Sequence, residues 1–101
     1  MAKVLVAVCQ MTSKENKEDN LNYAKALIEE ATAKGVKFLC FPENFMFLGQ
    51  ADGDTKKAAE PIKGRTILSI CCLAKKHGLW LSLGGFQEEI PNYDKIHNTH
   101  L

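Results

Sequence analysis

Three short apolar runs alternate with two helix-like stretches along this chain, in the order strand, helix, strand, helix, strand. Residues 4–8 (Val-Leu-Val-Ala-Val) are uninterrupted and largely β-branched, the pattern of a strand covered on both faces in a parallel sheet. After the polar stretch from Thr12 to Asn20, Leu21, Ala24, Leu27, Ile28 and Ala31 recur at helical spacing. Gly35 stands where a left-handed residue ends such a helix. Lys25 and Glu29, four residues apart, predict an ion pair on its exposed side.

Residues 36–41 repeat the strand pattern and stop at Pro42, which has no amide hydrogen to extend a central ladder. Residues 50–63 are polar, contain Gly53 and Pro61, and read as a loop or short irregular crossing. Thr66 is placed to cap a second helix with Ile67, Ile70, Cys71 and Ala74 on its inner face and Gly78 at its end. Residues 79–83 predict a third strand, broken by Gly84-Gly85. A β-α-β-α-β order with right-handed crossovers gives an α/β fold with a parallel sheet. Such sheets bind ligands beyond the carboxyl ends of their strands, which here gather Cys9, Gln10, Glu43 and Gly84-Gly85-Phe86.

The length of 101 residues allows one small domain, and 46% hydrophobic residues are enough for a packed core rather than a disordered tail. A net charge of +1, with Lys56-Lys57 and Lys75-Lys76 far apart and acids interleaved, builds no cationic surface for nucleic acid or an anionic membrane. No apolar run is long enough to span a bilayer. The first strand also starts too early to leave room for a signal or transit peptide, so a cytoplasmic location is expected.

Cys9 and Cys40 lie in strand-like runs, and Cys71 and Cys72 are neighbours on the second helix. Without a C-x-x-C pair, all four are expected as buried, reduced thiols rather than disulfide or zinc ligands. His97 and His100 lack an obvious third ligand and read as loop or strand-end histidines. The turn Gln10-Met11-Thr12-Ser13 lacks the G-x-G-x-x-G of a dinucleotide site.

Glu43 is the candidate catalytic residue. It follows a greasy strand and is flanked in sequence by Phe41, Phe45 and Phe47; a carboxylate stripped of water there is a strong proton acceptor, suited to general acid-base work. The competing reading is structural, with Glu43 capping the turn after Pro42 or pairing with a lysine. Cys9, at the end of the first strand, reads as a small buried hydrophobe rather than a nucleophile. Gly84-Gly85 fits either close approach of a ligand to the backbone or a simple turn. Trp80, Phe45 and Phe47 are expected in the core or a pocket wall.

Three motifs in register, Val6-Ala7-Val8-Cys9-Gln10, Phe41-Pro42-Glu43-Asn44-Phe45 and Leu81-Ser82-Leu83-Gly84-Gly85-Phe86, resemble the start of the nitrilase, or carbon-nitrogen hydrolase, superfamily. Trp80 and the run Asn98-Thr99-His100-Leu101 extend the likeness toward its small-molecule amidases. The resemblance implies an α-β-β-α sandwich, a dimer or larger oligomer, and a Glu-Lys-Cys mechanism without metal or organic cofactor. In that mechanism the Glu activates a cysteine thiol toward an amide or nitrile carbon and the Lys stabilises the oxyanion. Glu43 carries over; the Lys and the Cys do not. Lys95 superficially resembles the family's lysine segment, but Asn98-Thr99-His100-Leu101 matches the strand before that segment, which makes Lys95 a loop residue.

The chain thus reads as the N-terminal portion of such an amidase, with a small-molecule amide as substrate once completed and no activity expected alone. Two helices cannot cover both faces of three strands, so marginal folding or association is expected, the latter as a homo-oligomer or with full-length relatives. A non-catalytic protein that joins full-length relatives is the alternative. A ligand-binding module using the Gly84-Gly85 edge is a third reading.

Overall fold

The computed structural model describes residues 2–101. Its elements run β1 (Val6–Val8), α1 (Lys17–Ala33), β2 (Phe38–Phe41), α2 (Asp54–Ala58), α3 (Arg65–His77), β3 (Trp80–Leu83), β4 (Phe86–Glu89) and β5 (Ile96–Thr99). The Asn16 side chain starts α1 by accepting the Asp19 amide at 3.0 Å, and Glu18 and Asp19 place negative charge at the positive end of the helix. Leu21, Ala24, Ile28 and Ala31 are buried as their spacing predicts, and Gly35 takes φ 80° just beyond the helix. The ion pair that forms on this helix is Lys34 with Glu30, at 2.8 Å, whereas Lys25 and Glu29 do not pair among the described residues. Lys25 is partly buried and Glu29 faces water.

The sheet is parallel, in spatial order β1-β2-β3. Each right-handed crossover steps the same way across the sheet, so α1 and α3 fall on the same face and pack side by side. Rows of side chains follow from the register. Ala7, Leu39 and Leu81 form one row and Phe41 and Leu83 another, both turned toward the helices. Ile28, Phe45, Met46, Ile67, Ile70 and Phe86 close this core.

Among the described residues no layer covers the opposite face. Its rows are Val6, Phe38 and Trp80, then Val8, Cys40 and Ser82. Val6 is 60%, Val8 83% and Trp80 76% exposed. This corrects the expectation that the first strand is covered on both faces, and Trp80, expected in the core or a pocket wall, is not in the core. β1 is also shorter than its apolar run, since Val4 and Leu5 precede the first paired residue and are exposed.

Residues 50–63 hold the short helix α2 and, at Glu60, a bridge to Glu88 of β4. The N-cap of α3 is Gly64, which offers no side chain; Thr66 lies buried in the first turn. Glu60 supplies the missing acceptor, receiving the Thr66 hydroxyl at 2.6 Å and the Thr66 amide at 3.2 Å. It also receives Lys17 Nζ at 2.5 Å, which ties α1 to α3. Cys71 and Cys72 are exposed, contrary to the expectation of buried thiols, because Ile67, Ile70 and Leu73 form the face turned inward. Cys9 and Cys40 are only half-buried.

Burial pushes the Glu60 carboxyl upward, but the hydrogen bonds from Lys17 and from the Thr66 hydroxyl and amide, with the Lys17 charge, outweigh it and hold the group below its ordinary range. A carboxyl lowered by folding stabilises the protein above its unfolded pKa, and that contribution is lost as pH falls through the folded value. Glu60→Gln is therefore expected to lower stability by about 1–2 kcal/mol near neutral pH. Urea denaturation between about pH 6 and about pH 3 should show a steeper acid loss for the parent than for the variant; equal slopes would remove Glu60 from this role.

Candidate functional site

β2 carries the chain to the carboxyl edge of the sheet, where Pro42 ends the ladder and Glu43 stands. The Gly84 amide reaches the Phe41 carbonyl at 3.4 Å and the Asn44 amide reaches the Gly85 carbonyl at 3.2 Å, so the ends of β2 and β3 are laced around Glu43. Asn44 adopts the left-handed region, φ 56°, a conformation asparagine tolerates better than most residues. The turn sends Phe45, Met46 and Phe47 into the core and leaves the Glu43 side chain outside.

Two residues of the β4–β5 hairpin hold this turn. Gln87 and Asn98 lie opposite one another across the hairpin. Gln87, buried, donates from Nε2 to Asn44 Oδ1 at 2.8 Å and to the Phe47 carbonyl at 3.2 Å. Asn98 donates from Nδ2 to Glu43 Oε1 at 3.0 Å. One hairpin face thus aims the carboxylate and fixes the backbone that bears it. Gly85, φ 58°, backs directly onto Glu43, because a Cβ there would run into Glu43 Cγ and lie 3.2 Å from Asn98 Oδ1.

Glu43 is exposed to water, not enclosed by aromatic rings. The rings adjacent in sequence belong to the core: Phe41 and Phe45 pack with centroids 5.7 Å apart on the helical side. The expected dehydration therefore does not occur within this chain, while the placement at the strand ends holds. A groove of about 660 Å³ lies elsewhere, lined by Asn16, Lys17, Phe47, Asp54 and Lys57, and Glu43 is not among its lining residues.

The other candidates separate cleanly. Burial, then the neighbouring Cys40 and Glu30, push the Cys9 thiol up, away from the thiolate a nucleophile needs. Lys95 is exposed in the β4–β5 turn, three residues before Asn98. Gly84-Gly85 forms the turn between β3 and β4, the second of its two readings, and what Gly85 backs onto is the Glu43 side chain of the same chain. His97 meets the Tyr93 ring edge-on, and His100 Nε2 lies 3.0 Å from Ser82 Oγ. The sequence reading missed the holding roles of Asn98, Gln87 and Asn44, since nothing in the local pattern reveals which polar residue of one hairpin faces which turn. Among the described residues no helix is long and apolar enough to cross a membrane.

Comparison with known proteins agrees with this architecture. The family model described as carbon-nitrogen hydrolase matches residues 5–101. The chain is 40% identical over 100 residues to deaminated glutathione amidase of Bos taurus, covering 96% of this chain and 30% of that protein. It is 43% identical over 103 residues to deaminated glutathione amidase of Dictyostelium discoideum, covering 95% and 35%. The crystal structure of the C. elegans NitFhit protein superposes with a TM-score of 0.82 at 36% identity, over 95% of this chain and 24% of that one. The chain therefore spans about a third of the length of these amidase relatives. With nearly every residue inside the matched region and the same backbone path in a solved relative, this chain belongs to the carbon-nitrogen hydrolase family.

Proposed function

We propose that this chain is the glutamate-bearing part of an amidase that hydrolyses the carbon–nitrogen bond of a small molecule, with deaminated glutathione as the substrate to test first. The observation that supports it most is the carboxylate of Glu43 at the carboxyl edge of the sheet, held by Asn98 and backed by Gly85. A general base must be aimed before it can work, and a hydrogen bond to one oxygen leaves the other free to take a proton.

In the reaction, Glu43 accepts the proton of a cysteine thiol, and the sulfur attacks the amide carbon. Glu43 then passes the proton to the departing nitrogen, the carbon–nitrogen bond breaks, and ammonia leaves behind a thioester. Glu43 next deprotonates water, whose oxygen displaces the sulfur to give the carboxylic acid and restore the thiol. The thiol and the oxyanion-stabilising lysine match no residue of this chain, so it is inactive alone in this reading. A chimera tests it: this chain replaces the matching N-terminal third of a deaminated glutathione amidase, and ammonia release is measured. Turnover of deaminated glutathione supports the proposal, and a folded chimera that releases no ammonia from it rejects it.

The uncovered sheet face favours a second reading, a non-catalytic partner of full-length relatives. Co-migration with such a relative, together with a changed amidase rate, is its expected result; neither effect would reject it.

A further inference from the structure

The turn that bears Glu43 is gripped by side-chain amides from three separate elements. Buried Asn20 of α1 donates from Nδ2 to the Met46 carbonyl at 2.8 Å and to the Lys14 carbonyl at 2.7 Å, while its Oδ1 accepts the Lys14 amide at 3.0 Å. Gln87 of β4 holds Asn44 and Phe47, and Asn98 of β5 reaches the carboxylate itself. The need to satisfy buried carbonyls accounts for Asn20 and for the bond from Gln87 to Phe47. It does not account for Asn98, whose amide hydrogen goes to the Glu43 carboxylate rather than to the backbone.

We propose that Asn98 is a positioning residue for the general base: it reserves Oε1 of Glu43 and so presents Oε2 to the thiol. The inference rests on the amidase reading above and adds to it a residue outside the glutamate, lysine and cysteine. Three features support it. A glutamate side chain has several rotatable bonds, and a base must stand within hydrogen-bond reach of the proton it takes, so a fixed donor on one oxygen selects the useful rotamer. The donor is a neutral amide, which directs the carboxylate without the charge cancellation an ammonium would impose. The contact is also built on both sides, since Gly85 leaves the room that Glu43 Cγ and Asn98 Oδ1 occupy. On the other face of the hairpin, Thr99 Oγ1 donates to Glu88 Oε1 at 2.7 Å and helps to fix the strand register. A slip of one residue would turn Asn98 away from Glu43 altogether.

The test is a double-mutant cycle in the chimeric amidase, read by ammonia release from deaminated glutathione. Asn98→Ala is expected to lower kcat by about 10- to 100-fold with KM within about twofold of the parent, the scale of a misaligned catalytic group. In a Glu43→Gln background the same substitution should cost no further rate, because no base remains to be aimed. Asn98→Asp keeps the shape of the side chain but loses the donor, so it should cost at least as much as Asn98→Ala. Equal losses from Asn98→Ala in the two backgrounds would mark a merely structural residue and overturn the proposal while leaving the amidase reading intact. Near-parent turnover of Asn98→Asp would overturn it in the same way, since shape alone would then suffice. Near-normal turnover of Glu43→Gln is a different result: it sinks the amidase reading and this inference with it.

Discussion

Glu43→Gln in the chimeric amidase is expected to lower kcat by about a thousandfold while leaving the fold and its melting midpoint unchanged. Glutamine keeps the shape of the side chain and still accepts the hydrogen bond from Asn98, so the turn at Asn44 and the backing by Gly85 are undisturbed. What it loses is the ability to take a proton from the thiol, return it to the leaving nitrogen and activate water. Both chemical half-reactions need that transfer, and steady-state release of ammonia reads their combined loss. The side chain is exposed in this chain, which makes a large folding penalty from the substitution implausible on physical grounds. Near-normal turnover would remove Glu43 from the mechanism, whereas lost turnover with a lowered melting midpoint would point to the structural reading.

Phe45→Ala is expected to be the most damaging substitution for stability. Phe45 is 0% exposed, packs on Phe41, and sits directly after the left-handed Asn44 turn. Removing a fully buried ring typically costs about 3–5 kcal/mol, because the cavity left behind collapses only in part. Small domains have a net stability of about 5–15 kcal/mol, so this loss leaves the chain close to unfolding. The thermal midpoint should fall by about 15 °C or more. Tyr23→Ala, at a position 51% exposed on α1, is the control and should change stability by less than about 1 kcal/mol. Similar midpoints for the two variants would mean that the core is not organised around the Phe41–Phe45 pair.

The interior of α1 was legible because helical periodicity has a single geometric meaning: Leu21, Ala24, Ile28 and Ala31 face the same way whatever else the chain does. Gly35 and Gly78 marked helix ends for an equally local reason, since both take positive φ without a Cβ clash. Glu43 could be placed at the strand end from Pro42 alone. Its surroundings could not, because sequence proximity to Phe41, Phe45 and Phe47 says nothing about which way a left-handed turn sends the rings. Thr66 shows the same limit, since its partner, Glu60, sits on a segment that reads as a polar loop. Residue pattern alone did not show the hairpin of β4 and β5, because its residues are mostly polar and its strands short, leaving no apolar alternation to read; only the family resemblance marked a strand at residues 98–101.

Local sequence alone determined β1, α1, β2, α3 and β3, their parallel arrangement and the position of the glutamate, because propensity, glycine and proline geometry and apolar spacing act over a few residues. Only the tertiary structure decided that the strands lie side by side in chain order, and everything distinctive follows from that. Crossovers of one hand stepping in one direction put both helices on the same face. The other face, with Val6, Val8, Phe38 and Trp80, is left for another layer, and the hairpin is free to bring Asn98 to Glu43.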